Sequence, residues 1–451
     1  NQFWINTDVY TGPYFELNNL GKDREIKDQV KQNNFDAGVL VTSTNPNTGN
    51  NYDFTFDWKL NSLNIDITKL DESSKTKNNN YYIAGIMTDG VDDEKTANLI
   101  LTTNGITNNG ITNNGINVKV NSKNNYAAVG VWAQSNDSIK LTSNTGDVTI
   151  SVNKTGGYNL SYINDGEPNI TQTEDRKLHA VYGLNASSNP QNSSEQGGAI
   201  EVITKNGSIS VTAKNESTDL KGSHVYAAAN DNGHLILSAG QGADYTGTGS
   251  ISLKAESNGN NNVYGLDTWG GEENRLTADE IFISAKAENG NAYGVKLNGG
   301  TTENYYDSEY NEITGESING EAYGVLIEGN SSINIHGGDN FISGAAVASP
   351  EKGFGIKAIN SDAFIKGDNN YFNVDSNTGA YISNGQGFAV SIENTTGIEE
   401  QQYHEIAILA NESNIFSGAV YAKGNRASVK IEGEGNNVVT NNFYSASVIE
   451  G

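Results

Sequence analysis

Apolar residues alternate with small or polar ones at period two through most of the chain, in short runs broken by Gly, Asn and Ser. The pattern is fullest between Glu321 and Asn360. There Tyr323, Val325 and Ile327 alternate with Gly324, Leu326 and Glu328, a Gly-Asn-Ser turn leads to Ile333 and Ile335, and Gly337-Gly338-Asp339-Asn340 leads to Phe341 to Val347. The opening then returns at Phe354-Gly355-Ile356. Strict alternation predicts strands with one buried and one wet face. A unit of about 30 residues holding three such strands predicts a stacked repeat.

The small residue between two large ones can be followed down the chain through Gly38, Gly85, Gly130, Gly183, Ala227, Gly265, Gly294, Gly324, Gly355, Ala389 and Ala419. The later intervals are compact and the earlier ones carry loops. Runs such as Ile209-Ser-Val211-Thr-Ala213 and Ile251-Ser-Leu253-Lys-Ala255 supply further strands within each interval. The expected fold is all-β: a right-handed parallel β-helix with three strands per turn and about eleven turns. Its inward column is Val39, Ile86, Val131, Leu184, Leu266, Val295, Val325, Ile356 and Val390. The small column is expected to face outward, either as a flat lane for another chain or to let the backbone bend. A second outward stripe begins Leu40, Met87, Trp132. It is too apolar for a wet face and implies either loops folded over it or a partner.

Residues 1–37 read as a cap or irregular entry segment; Lys22 to Gln32 is the one stretch with helical character, and only Ile26 and Val30 give it an apolar pair. Residues 38–451 read as one continuous β-helix. Loops concentrate in the first two thirds, and the segment 299–312 carries Tyr305, Tyr306 and Tyr310 beside acidic residues. The five-residue repeat from Asn104 to Ile116 reads as a duplication inside a corner loop, or as a small extra coil. Asn pairs such as Asn369-Asn370 and Asn436-Asn437 fall at corners, where a left-handed turn or an internal amide ladder is their expected duty.

Composition narrows the functions. Hydrophobic residues make up 35% of the chain, which suits a thin core wrapped by many turns. Cysteine is absent, excluding disulfides and thiolate metal sites. A net charge of −26 with four Arg (Arg24, Arg176, Arg275, Arg426) argues against nucleic acid and anionic lipid as partners. The apolar runs are too short for a membrane-spanning helix, and Asn1-Gln2-Phe3-Trp4 does not open a signal peptide.

Candidate chemistry is sparse. Asn6-Thr7-Asp8, Asp92-Asp93 and His336-Gly337 echo the carboxylate set of polysaccharide hydrolases but lie many repeats apart, with no Arg-x-Lys to complete it. Neither Gly-Asp-Ser-Gly nor a Gly-x-Ser-x-Gly elbow is present, and the five histidines lack zinc-binding spacing. No enzyme or resident cofactor is expected; single calcium ions at Gly338-Asp339-Asn340 or Asp92-Asp93-Glu94 stand as the alternative to solvated acidic corners.

The three-strand repeat, the Tyr-Gly-Val/Leu openings at Tyr182, Tyr264, Tyr293 and Tyr323, the Gly/Asn/Ser/Thr bias, the missing cysteine and the acidic charge together resemble the passenger of a monomeric autotransporter adhesin. The likeness runs from about residue 38 onward. It implies export to the surface of a Gram-negative bacterium, a membrane-anchoring barrel beyond this stretch, and aggregation, biofilm formation or attachment. The implied partners are identical passengers on neighbouring cells, or a protein or glycan of a host or partner cell. The family has no shared binding motif, so the expected contact residues are outward or loop aromatics: Trp132, Trp269, Tyr305, Tyr306 and Tyr310. The competing functions are a polysaccharide-degrading β-helix enzyme and a structural stalk.

Overall fold

A computed structural model describes residues 24–26, 30–32, 35–43, 53–69, 82–89, 95–108, 111–113, 115–122, 127–155, 180–187, 197–218, 224–240, 248–271, 273–299, 303–380, 382, 387–395, 402–424, 426–435 and 437–440. They form two compact units, Asn1–Ser252 and Leu253–Gly451. Both are nearly all strand, as the alternation predicts, and most of the strands pair in parallel, as the repeat predicts.

In the first unit the strands pair in three parallel ladders, each joining strands of consecutive repeats. Phe35–Thr42, Tyr82–Asp89, Ala127–Gln134, Val181–Ser187 and Val225–Asp231 form one ladder. Phe54–Leu60, Ala97–Thr103, Ser138–Ser143, Ala199–Thr204 and His234–Ser238 form the next. Ser62–Lys69, Gly115–Ser122, Asp147–Lys154 and Ile209–Asn215 form the third. The alternation appears directly in burial: along Asp147–Lys154, Val148, Ile150 and Val152 are buried while Thr149, Ser151 and Asn153 are half-exposed. Within 22–32 the described residues are strands, not helix. Arg24–Ile26 joins the third ladder beside Leu63 to Ile65, and Val30–Gln32 lies antiparallel to Phe35–Thr42. The five-residue repeat is an antiparallel hairpin, Ile106–Asn108 against Ile111–Asn113.

The second unit repeats the plan. Val263–Trp269, Ala292–Asn298, Ala322–Glu328, Gly353–Ile359, Phe388–Glu393 and Ala419–Lys423 form its first ladder. The second ladder joins Glu273–Thr277, Glu303–Asp307 and Ser332–His336, continuing into the first halves of the long strands Asp362–Phe372 and His404–Ser417 and then Ala427–Gly433. The third ladder joins Glu280–Ala287, Tyr310–Ser317 and Asp339–Ala346, then the second halves of the same long strands and Asn437–Thr440.

The small residues all fall in the first ladders, but they face inward, not outward. A Cβ on Gly130 would lie 2.3 Å from Ile150 Cγ2 and 2.5 Å from the Gly183 carbonyl oxygen, and one on Gly294 would lie 2.6 Å from the Gly324 oxygen and 2.9 Å from Ile313 Cγ2. The glycines give the third-ladder side chains room against the first-ladder backbone, so the lane for another chain does not exist. Ladder partners run Tyr to Tyr and Val to Val with the glycine skipped on both strands and the register unchanged. Both neighbours are therefore buried: Val131, Leu184, Val295 and Val325 are fully covered. The last small residue slips, since Ala419 faces Phe388 rather than Ala389.

The apolar stripe of Met87 and Trp132 is in register but covered, at 0% and 2% exposure. Lys154 is also fully buried at the end of its strand, level with Ser122 and Asn215 on either side. Burial pulls its ammonium from the ordinary 10.5 down to about 7. The folded chain then binds fewer protons than the unfolded chain between those values. Stability is therefore lowest below pH 7 and climbs as the pH rises toward 10. Unfolding free energies from urea titrations at pH 7 and 9.5 should differ by up to about 3 kcal/mol. Lys154→Met should flatten that slope; an unchanged slope would reject the assignment.

Candidate binding surface

The side chains with most chemistry on the described surface sit where the second and third ladders of the Leu253–Gly451 unit meet. The corners between them are tight, Ser308-Glu309 in one repeat and Gly337-Gly338 in the next. Inside the bend runs a buried amide ladder. Asn311 Nδ2 donates to Asn340 Oδ1 (2.8 Å), Asn340 to Asn370 (2.8 Å), Asn370 to Asn414 (2.9 Å) and Asn414 to Asn437 (2.7 Å). Each second amide hydrogen holds a corner carbonyl, as Asn340 does Lys366 O and Asn370 does Leu409 O. The residue after each of these amides faces outward by alternation. The outer column is therefore Glu312, Phe341, Tyr371, Ile415 and Val438, with Phe282 at its head.

Aromatic rings fill that column. Tyr310, one residue before Asn311, swings between Phe282 and Phe341, with centroids 5.7 and 5.5 Å away and planes tilted by 45° and 37°. Phe341 stacks on Tyr371 at 4.3 Å. All four rings are half-buried, and the stripe continues into Ile415 and Val438, the latter 38% exposed. Across the corner a shorter set runs Tyr305, His336, Phe364, packed edge-on at 5.2 and 5.6 Å.

Carboxylates border the rings and are held by hydrogen bonds. Glu312 Oε2 accepts from the Tyr310 hydroxyl (3.1 Å) and from Ser376 Oγ (2.9 Å). Asn369 Nδ2 donates to Asp339 Oδ1 (3.0 Å) and Glu412 Oε2 (3.3 Å). Burial first, and then the Glu312 charge, push the Tyr310 phenol up to about 12, so it remains a donor at every ordinary pH. The outward cations on the neighbouring strands Ser250–Ser257 and Glu280–Ala287, Lys254 and Lys286, are bridged to Glu256 and Glu316, each at 2.7 Å. The surface is therefore an apolar strip with a negative margin.

No family model matches the chain, and neither does any curated protein or solved structure.

The five aromatics expected at the contact divide. Tyr305 and Tyr310 lie on this surface, on opposite sides of the corner. Tyr306 does not: strand alternation turns it inward between Leu276 and Ile335, fully buried. The segment holding all three is not one loop, since residues 303–307 and 310–317 are strands. Trp132 lies in the outward register but is covered; it belongs to the first unit, is buried, and donates its indole N–H to Ser187 Oγ at 3.1 Å. Trp269 is 52% exposed at the end of its first-ladder strand, level with Asn298. Phe282, Phe341, Tyr371, His336 and Phe364 were missed. For Phe341 and Tyr371 a signal existed: both directly follow an Asn, in Asn340-Phe341 and Asn370-Tyr371, one repeat apart.

The Tyr-Gly openings form a different feature. Tyr264, Tyr293, Tyr323, Phe354 and Phe388 stack face to face at 5.0 to 5.2 Å, under Lys296 and Lys357. Stacking this close leaves no ring face between them for a ligand, so the ladder joins successive repeats. Among the described residues no group of three His, Asp or Glu is placed to hold a metal ion. At Gly338-Asp339-Asn340 the Asp339 carboxylate takes an amide and Asn340 belongs to the inner ladder. Asp92-Asp93-Glu94 lies outside the described residues.

Proposed function

We propose that the chain is the passenger of a monomeric autotransporter adhesin, exported to the surface of a Gram-negative bacterium. In this reading each unit is a stretch of right-handed parallel β-helix with three strands per turn, about eleven turns over the two. The parallel ladders between consecutive repeats support it, since a chain winding in one sense pairs each strand with its equivalent one turn later. The observation that carries the function is the shape of the outer chemistry. Aromatic, amide and carboxylate side chains come from neighbouring positions of successive repeats and make a strip rather than a cleft. A strip suits many modest contacts multiplied by valency, as aggregation, biofilm formation or attachment requires.

The test mixes cells displaying the chain in one colour with bare cells in another. Displaying cells are expected to clump, or to coat a partner surface, while bare cells do not. Because the chain carries −26, encounters between displaying cells should strengthen as salt screens the long-range repulsion. Clumping of displaying cells with one another that falls as salt rises would count against pairing between identical chains, and display without any attachment would count against the reading.

A further inference from the structure

We infer that the aromatic strip of the third ladder is a binding site for an amino-sugar polymer, a β-linked glycan carrying free protonated amines. This deepens the adhesin reading by naming a ligand, and it rests on that reading only for where the ligand is met.

Three features lead to it. First, Phe282, Tyr310, Phe341 and Tyr371 rise one per repeat, at about the strand spacing of ~4.8 Å, roughly the length of one pyranose. An extended glycan laid along the ladder meets the turned faces of Phe282 and Tyr310 and then the outer edges of Phe341 and Tyr371, which stack on each other at 4.3 Å and keep no face open between them. The tilts of 45° and 37° around Tyr310 turn part of its face and its neighbours' faces out of the stack, where sugar C–H groups can pack. Second, the margin beside the rings is acidic. Glu312, Asp339 and Glu412 border the strip, the outward cations Lys254 and Lys286 are already matched by Glu256 and Glu316, and Lys366 lies across the corner, level with His336. A uronic-acid polymer would be repelled, and a second copy of this surface would set carboxylate against carboxylate. A cationic glycan is complementary. Third, the carboxylates are pre-placed: Asn369 holds two of them, and Tyr310 with Ser376 holds the third. Little side-chain ordering is left to be lost on binding.

Titration calorimetry on the full chain tests this at about pH 5.5, above the ordinary carboxylate range. The probes are a β-1,4-glucosamine oligomer, its fully N-acetylated counterpart, a polygalacturonate oligomer and a lysine oligomer of equal charge. The glucosamine oligomer should bind, and the acetylated one should bind about tenfold more weakly or not at all, because it forfeits the charge-assisted hydrogen bonds. Asp339→Asn, which keeps the side chain's shape, should weaken the glucosamine oligomer by about tenfold. Phe341→Ser should also weaken the glucosamine oligomer; should it misfold by circular dichroism, Asp339→Asn and the probe comparison still decide. Equal binding of the acetylated and free-amine oligomers, binding of the lysine oligomer as tight as the sugar, or no binding at all overturns the site. Clumping by cells whose chain ignores the sugar would leave the adhesin reading standing without this ligand. Sugar binding without clumping would do the reverse.

Discussion

Asn370→Ala is expected to cost about 3–5 kcal/mol of stability, because it removes three buried hydrogen bonds at once. Asn370 is fully buried. Its Oδ1 accepts from Asn340, and its Nδ2 donates to both Asn414 Oδ1 and Leu409 O. The methyl of alanine replaces none of these, so an amide N–H, an amide oxygen and a corner carbonyl lose a partner where water does not reach. Each such loss costs about 1–3 kcal/mol. Asn369→Ala, one residue earlier and half-exposed, should cost less than about 1 kcal/mol, since Asp339 and Glu412 can turn to solvent. Chemical denaturation of both variants checks the contrast. Equal losses would mean that the amide ladder does not hold the corner. Near-ultraviolet circular dichroism adds a second readout, because Tyr371 follows Asn370 directly and its stacking on Phe341 depends on that register.

Gly130→Val is the second large effect, expected at about 3 kcal/mol or more. The added Cβ alone would approach Ile150 Cγ2 to 2.3 Å and the Gly183 carbonyl to 2.5 Å. A side chain can turn aside, but a backbone oxygen engaged in a ladder cannot move without shifting the strand. The chain itself calibrates the smaller change. Ala227, in the next first-ladder position after Gly183, carries a Cβ and is fully buried, so one methyl can be absorbed where the facing residues allow it. Gly130→Ala should therefore cost about 1–2 kcal/mol, and the two branches of valine considerably more. A valine variant as stable as the alanine variant would show that the glycines are not packed against the third ladder.

These two cases mark how far the sequence could be read. Alternation in Ile209-Ser-Val211-Thr-Ala213 identified a strand and its buried side, because in a thin core the outer face meets water and must be polar. The eleven small residues located the first ladders, and of the doubled Asn residues Asn370 and Asn437 belong to the amide ladder, whose other members stand singly. The direction of the small column was misjudged. Period-two counting assumes an unbroken pleat, whereas the ladder skips each glycine without a change of register, and Tyr, Gly and Val in succession are all covered. Tyr306 shows the opposite limit: composition marked 299–312 as a loop, but two short strands meeting at a corner send its neighbours Tyr305 and Tyr310 outward and Tyr306 into the core.

Trp132 required information that no local pattern holds. It lies in the outward register, and only the surrounding tertiary structure buries it. The sequence by itself determined an all-β chain of parallel repeats, where the first strand of each repeat falls, and the acidic sign of its surface, since hydropathy period and charge are local or additive. The tertiary structure alone decided which aromatics reach solvent and which carboxylates border them. Phe282, Tyr310, Phe341 and Tyr371 come from four separate repeats, and only the lateral pairing of strands places them side by side.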